Sequence, residues 1–329
     1  MAVSSRHPTF VMGDYVNIDA LKLQEYLQVK YIKLHFTVEM LEDTYLPVNK
    51  ASAIRGGMGE MLLRINCISD RNCDKCEFED ECIVRRVMYS KMKIQPAFMT
   101  SGDSVGYVID CENYKEEFLE GDRLEFDMIL FGRMAVYFGQ ILQAFQYLGH
   151  FGLGKEHSRF KIVEVTNSKR EHIMYGNDIH MSRLELMTIG EYVAYRKNKG
   201  NEVNKLIFHT PLSIKEQGVF LKEFDINAIV RSIERRLYML NCYEGIETER
   251  IDLEGHMPVQ TAQNSREFSV RRFSNRHEQK IRLDGICGDL SIEHVEEEIQ
   301  ELLLAGELIH IGKNTSFGFG RYSLKEEER

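Results

Sequence analysis

One order of secondary-structure elements occurs twice in this chain, and that repetition limits the folds open to it more than any single motif. From Lys30 to Leu41 the residues alternate, with Ile32, Leu34, Phe36, Val38 and Met40 on one face and Lys33, His35, Thr37 and Glu39 on the other. That is the period of a half-buried strand. A helical stretch follows at Asn49–Ile65, then a helix at Cys82–Met92, strands near Val105–Asp110 and Arg123–Phe131, a helix at Met134–Leu148 and a strand at Arg159–Val165. After a looser stretch the order recurs. A strand at Asn204–His209 precedes a helix capped by Asp225 and running to Asn241, with Ile226, Ile229, Ile233, Leu237 and Leu240 at helical spacing. Strands at Glu267–Phe273 and Lys280–Ile286 lead to a helix capped by Ser291 and ended by Gly306, and Phe317–Leu324 is the last strand.

Each half reads as a split βαβ, or ferredoxin-like, unit, so the expected class is α+β with two such domains in tandem. The expected boundaries are an extension at 1–29, a first domain at 30–170 and a second at 171–329. A length of 329 residues suits two domains at roughly 150 residues each. No apolar run approaches the ~20 residues that span a bilayer, and Met1–Phe10 lacks a secretory pattern, so a cytoplasmic location with reduced thiols is expected.

Each half also places a glycine-rich loop before its last strand: Gly149–Gly154 in the first and His310–Arg321 in the second. Glycines spaced in this way after a helix present bare N–H groups, here with a lysine, to an anion, and RNA backbone is the anion expected. The net charge of −9 argues against a wholly basic nucleic-acid binder. Basic residues are segregated, however: Arg266, Arg271, Arg272, Arg276, Lys280 and Arg282 crowd one stretch against only Glu267 and Glu278. Such a strip can track phosphates, or it can be a solvated strand face.

Four cysteines, Cys67, Cys73, Cys76 and Cys82, bracket a Cys-x2-Cys knuckle inside the first domain. In a reducing compartment, four thiolates so spaced suit a tetrahedral structural zinc ion, with an iron–sulfur cluster or free or paired cysteines as alternatives. A closed site of that kind staples an insertion and leaves no open position for catalysis.

Tandem units ending in a glycine-rich loop resemble the RAMP superfamily of CRISPR-associated proteins, and more narrowly its pre-crRNA-processing endoribonucleases. The signature carrying the resemblance is His310-Ile311-Gly312, five residues containing Lys313, then Gly318-Phe319-Gly320, with His310 where the pattern has glycine. Leu206–Pro211, Arg272–Arg276 and Arg55–Gly59 running into the cysteines also fit, so the resemblance spans about Lys30 to Leu324. It implies metal-independent cleavage of CRISPR repeat RNA, in which the ribose 2′-OH attacks the adjacent phosphate, leaving a 2′,3′-cyclic phosphate and a mature crRNA. The protein then needs only to align the reacting atoms, move two protons and neutralise charge.

By the same resemblance, catalytic groups belong in the segment after the first strand. Here Tyr45, Lys50 and Arg55 are available and no histidine is, with His35 the nearest. The RNA-binding set expected is Arg271, Arg272, Arg276, Lys280, Gly312, Lys313, Gly318, Gly320 and Arg321. The partners implied are repeat RNA or crRNA and other CRISPR effector subunits. Two alternatives stand beside this reading: a non-catalytic crRNA-binding subunit of an effector complex, and a metal- or cluster-bearing redox module.

Overall fold

The computed structural model describes residues 20–73, 75–99, 105–199, 204–274 and 279–325. The first half comprises α1 (Ala20–Tyr26), β1 (Lys30–Met40), β2 (Thr44–Tyr45), α2 (Lys50–Asn66), α3 (Ile83–Met88), β3 (Tyr107–Asp110), β4 (Glu117–Phe118), β5 (Arg123–Phe131), α4 (Phe138–Phe151) and β6 (Phe160–Thr166). Next come β7 (His172–Tyr175), β8 (Asp178–Ile179), β9 (Met187–Thr188) and α5 (Ile189–Asn198). The second half holds β10 (Lys205–Leu212), β11 (Lys215–Glu216), β12 (Val219–Phe220), α6 (Ile226–Glu244), β13 (Val259–Ser274), β14 (Gln279–Glu293), α7 (Glu297–Ile309) and β15 (Tyr322–Lys325).

Both large sheets are antiparallel, as an α+β chain requires. The first runs β3-β5-β1-β6 and continues into β7 and β8; the second runs β13-β14-β10-β15. In each, the third strand lies beside the first and the fourth lies on the first strand's other side. No described helix is long and apolar enough to cross a membrane.

The alternation of β1 decides the first core. Ile32, Leu34, Phe36, Val38 and Met40 are buried together with Ile54, Met58 and Leu62 of α2 and Ile141, Leu142 and Phe145 of α4. Phe36 stacks on Phe126 with centroids 4.8 Å apart and meets Phe145 edge-on at 5.2 Å. Each such pair contributes about 1 kcal/mol beyond its burial.

The second core joins the halves. Ile229, Ile233 and Leu237 of α6 and Leu302 and Leu303 of α7 pack with Leu206 and Phe208 of β10. The same cluster takes in Leu23 and Tyr26 of α1 and Tyr31, Val108 and Phe131 of the first sheet. The first sheet is therefore covered by α2 and α4 on one face and, at the end where β1 begins, by the second half on the other.

Several local expectations change. Ser291 does not cap a helix: it pairs with Lys205 inside β14, and α7 begins six residues later at Glu297. Ladder hydrogen bonds there outweigh serine's preference for caps. Gly306 lies within α7 rather than after it, and marks close packing instead of a helix end: a Cβ at that position would sit 2.0 Å from the Tyr322 hydroxyl. Phe317 belongs to a short 3₁₀ turn at Thr315–Phe317 and not to the last strand. Strands β13 and β14 extend well beyond the expected segments, and the loose stretch after β6 contains β7, β8, β9 and α5. Asp225 caps α6 as read, accepting from the N–H groups of Asn227 and Ala228.

Candidate active site

The start of α2 organises the site. Asn49 caps the helix by accepting from the Ser52 N–H at 3.0 Å. Lys50 follows fully buried, its Nζ donating to the carbonyls of Pro47 at 3.3 Å and Asn113 at 2.9 Å. Burial pushes the amine below its ordinary range. Lys50 thus pins the 47–50 turn to the loop that carries Asn113, and its ammonium does not reach solvent. Tyr45 is different: it is 62% exposed, and its hydroxyl donates to Glu117 at 3.2 Å. That bond to a carboxylate raises the phenol's pKa and keeps it protonated.

Arg55, one helical turn beyond Ala51, reaches into the second half. Its Nε donates to the Ser316 hydroxyl at 3.3 Å and its guanidinium lies 4.3 Å from the Phe317 ring centroid. The sequence-derived catalytic segment and glycine loop therefore meet. They meet, however, by burying the loop: Thr315 to Gly320 are buried, and only Lys313 in the signature is exposed.

The loop's N–H groups are not bare. Gly312 donates to the Ser232 hydroxyl, Lys313 to the Ser213 carbonyl, Gly320 to the Pro211 carbonyl and Arg321 to the Thr210 hydroxyl. Phe317 and Phe319 donate to the Asn314 carbonyl, and Gly318 to that of Thr315. The three glycines serve close packing. Gly312, Gly318 and Gly320 have φ of 80°, 85° and 76°, and a Cβ would lie 2.6 Å from the Ser213 carbonyl oxygen, 2.8 Å from the Ala51 Cβ and 1.8 Å from the Ile311 carbonyl oxygen, respectively. The loop's rings are clasped too, with Phe317 and Phe319 under Val270, Ile281 and Leu283 of the β13–β14 hairpin.

Arg321 is engaged by carboxylates, with Nε 2.8 Å from Asp110 and a further ion pair to Glu112. Burial raises the Asp110 carboxyl to about 6, against the pull of Arg321. His35 lies between Asp127, 2.7 Å from Nδ1, and Glu125, 3.5 Å from Nε2. Burial works against the Asp127 charge, yet the hydrogen bond from His35 and the Lys33 ammonium hold its carboxyl at about 2. This face of the first sheet carries paired charges, Lys33 with Asp127 and Lys161 with Glu39, and His35 is occupied by carboxylates. In the hairpin, Arg271 pairs with Arg282, Arg272 with Ile281 and Phe273 with Lys280, while Arg276 lies outside the described residues.

The cysteines at 67, 73, 76 and 82 are all partly exposed. Burial raises the Cys73 thiol, and Cys82, Cys67 and Cys76 add to the rise against the pull of Arg85. Among the described residues no group of three or more His, Cys, Asp or Glu side chains is arranged to hold a metal ion. The donor chemistry fits a thiophilic ion; the described side-chain arrangement is not a closed coordination shell.

One feature was not read from the sequence. A groove of about 490 Å³ opens on the helix-free face of the second sheet, lined by His209, Arg266, Phe268, Cys287 and Asp289 with Tyr114 from the first half. Tyr114 donates to the His209 carbonyl at 2.9 Å, and the His209 Nε2 lies 2.8 Å from the Ser323 hydroxyl. The alternation of β10 places His209 opposite Phe208 and was a usable signal; nothing in the sequence brought Tyr114 there.

Residues 206–322 match the family model of the CRISPR-associated endoribonuclease Cas6, and residues 27–186 match a model described as an N-terminal domain. An uncharacterized protein of Archaeoglobus fulgidus is 23% identical over 287 residues, covering 85% of this chain and 93% of that protein. Among solved structures, the partial Cas6-RT-Cas1–Cas2 complex aligns at 12% identity with a TM-score of 0.55 over 91% of this chain, which spans only 46% of that neighbour's length. A Thermus thermophilus Cas6 product complex aligns at 12% identity with a TM-score of 0.51, covering 90% of this chain and 99% of its own. At these identities the structures speak for the fold, and the matched model speaks for residues 206–322. The second half thus resembles the CRISPR-associated endoribonuclease Cas6 over residues 206–322, and the fold of the whole chain is similar to that of solved Cas6 structures.

Proposed function

We propose that the protein is an endoribonuclease that cuts CRISPR repeat RNA, built on two tandem ferredoxin-like units. The observation that carries this reading is the junction of the two halves, where Arg55 of α2 bonds Ser316 and covers Phe317 beside the exposed Lys313. A cation held rigidly between two domains is placed to neutralise a phosphate that develops charge, a role commonly worth roughly 10²–10³ in rate. The nucleophile is the substrate's own 2′-OH, so the protein supplies alignment and proton transfer, and a 2′,3′-cyclic phosphate is the product. Tyr45 is the exposed proton donor beside the turn, and Lys50 positions that turn from beneath without touching RNA. Lys313 and the basic residues Arg271, Arg272, Arg276 and Lys280 bind the backbone. Gly312, Gly318 and Gly320 act by letting the loop pack, and Arg321 by tying it to Asp110.

Incubating the purified protein with repeat RNA in EDTA tests the reading. A single cut ending in a cyclic phosphate supports it; tight binding with no cut favours the crRNA-binding subunit, which the burial of Lys50 and the occupied His35 would also suit. The partners proposed are repeat RNA, crRNA and other CRISPR proteins. Zinc is proposed at Cys67, Cys73, Cys76 and Cys82 as a structural staple only. Metal analysis of the double variant Cys73→Ser/Cys76→Ser should show the loss of one bound zinc; unchanged content would remove the proposal.

A further inference from the structure

A buried carboxylate is stable when its charge is matched and its oxygens are hydrogen-bonded, and Asp110 has only part of that. It ends β3 with 7% of its surface exposed. Its Oδ2 lies 2.8 Å from the Arg321 Nε, while Oδ1, also buried, has no hydrogen-bond partner among the described residues. In the β3–β5 ladder its register partner is Asp127, and like charges placed opposite one another destabilise a sheet. Glu112 adds a third negative charge, and Arg321 and Lys33 are the cations that face the group. Burial outweighs both cations and lifts the Asp110 carboxyl to about 6. An asparagine would fill nearly the same space with no charge to bury, so packing alone does not account for an acid here.

What the acid engages is the other unit. Strand β3 forms one edge of the first sheet, and the second glycine loop lies against its end. A Cβ on Gly318 would meet the Ile109 carbonyl oxygen at 3.2 Å and the Ala51 Cβ of α2 at 2.8 Å, so this residue is wedged between β3 and α2. Arg321, three residues later, is fixed along its backbone. Its N–H donates to the Thr210 hydroxyl at 2.9 Å, and its carbonyl accepts from the N–H groups of His209 and Thr210. Its guanidinium then crosses to Asp110 and Glu112. At the loop's other shoulder, Arg55 donates to Ser316 and covers the Phe317 ring. Two elements of the first unit thus grip one loop of the second, Asp110 at one side and Arg55 at the other.

We infer that Asp110 is a positioning residue: through Arg321 its carboxylate seats the 310–321 loop between β3 and α2, and so holds Arg55 where a phosphate meets it. This inference rests on the endoribonuclease reading. An acid kept for that purpose sets stability against activity, an opposition that an ordinary structural ion pair does not produce.

The folded carboxyl titrates near 6 and an unfolded one at about 4. The group therefore supports folding fully only below about pH 4, and that support is lost as pH rises through 6. Asp110→Asn has no such loss. Its melting temperature should exceed the wild-type value by about 2–4 °C at pH 8, and the gap should close as pH falls toward 4. At pH 8 the same variant should cut repeat RNA roughly 10–10²-fold more slowly in a single turnover, with affinity for a repeat carrying a 2′-deoxy sugar at the cut within about threefold. Arg321→Ala should be comparably slow, and adding Asp110→Asn to it should slow it no further, because Asp110 acts through Arg321. An Asp110→Asn protein that melts lower than wild type at pH 8, or does not fold, makes Asp110 a structural partner and overturns the inference. A more stable variant that cuts at the wild-type rate overturns it too, as does a double variant slower than either single one. A wild-type protein that leaves repeat RNA uncut overturns the endoribonuclease reading instead, a separate result because the melting curves are recorded without RNA.

Discussion

The two glycine loops occupy equivalent places in the two units, and a histidine at positive φ accompanies each, His157 three residues after the first at 53° and His310 at the start of the second at 54°. Their fates are opposite. Gly154 to His157 are exposed on a turn fastened only along its sides, whereas Thr315 to Gly320 are buried between α2 and the β13–β14 hairpin. The imidazole of His157 is free in solvent, and burial drives that of His310 down to about 3 with its Nδ1 lacking a partner. One loop presents a side chain; the other closes an interface. Similar glycine content follows from different needs, conformational in the first and steric in the second.

The largest expected effect breaks the buried loop. Gly320→Val places a side chain where a Cβ already meets the Ile311 carbonyl at 1.8 Å, and should cost at least about 3 kcal/mol or prevent folding. Gly154→Ala, open except for Pro47 at 3.7 Å, should cost only about 1 kcal/mol for its left-handed backbone. Equal melting temperatures for the two variants would erase the distinction between the loops. Next in size, Arg55→Ala should slow repeat cleavage by roughly 10²-fold through lost charge stabilisation, with a smaller change in RNA affinity. A change confined to affinity would make Arg55 a binding group alone.

His310 makes the buried loop acid-sensitive. Its folded pKa lies near 3, below the ordinary imidazole value, so the unfolded chain takes up a proton first as pH falls. Stability from this group is complete above about pH 6.5 and is lost as pH drops toward 3. His310→Asn should flatten the fall in melting temperature between pH 6 and 4 within the limits of the other titrating groups, and an unchanged slope would count against a buried neutral imidazole. The smallest effect belongs to Lys313→Ala. Affinity for repeat RNA should weaken a few-fold and the salt dependence should decrease by roughly one phosphate contact, without loss of melting temperature.

Much of the architecture was legible. The alternation of Lys30–Met40, the Asp225 cap and the apolar spacing of α6 each reflect local periodicity, and local periodicity is what a sequence displays directly. Misreadings occurred where a distant contact outranked a local preference. Ser291 is drawn into a ladder by Lys205, and Gly306 is a glycine because Tyr322 fills the space beside it, not because the helix ends there. For the candidate site residues the sequence shows the residue types and the spacing within α2 that carries Arg55 to the glycine loop, whereas the burial of Lys50 and the pairing of His35 with Asp127 depend on strands and turns far apart in the chain.

Composition and spacing by themselves determined the repeated strand–helix order, the helix faces and which loops required glycine, since these are set by neighbours within a few residues. Which loop opens and which closes was decided only in three dimensions. The first loop's position is taken by straps from residues 41–47, and the second is buried because α2 of the opposite unit presents Ala51 and Arg55 to it. Burial and hydrogen-bond partnership are properties of the packed whole, and they convert two like motifs into a surface and a seam.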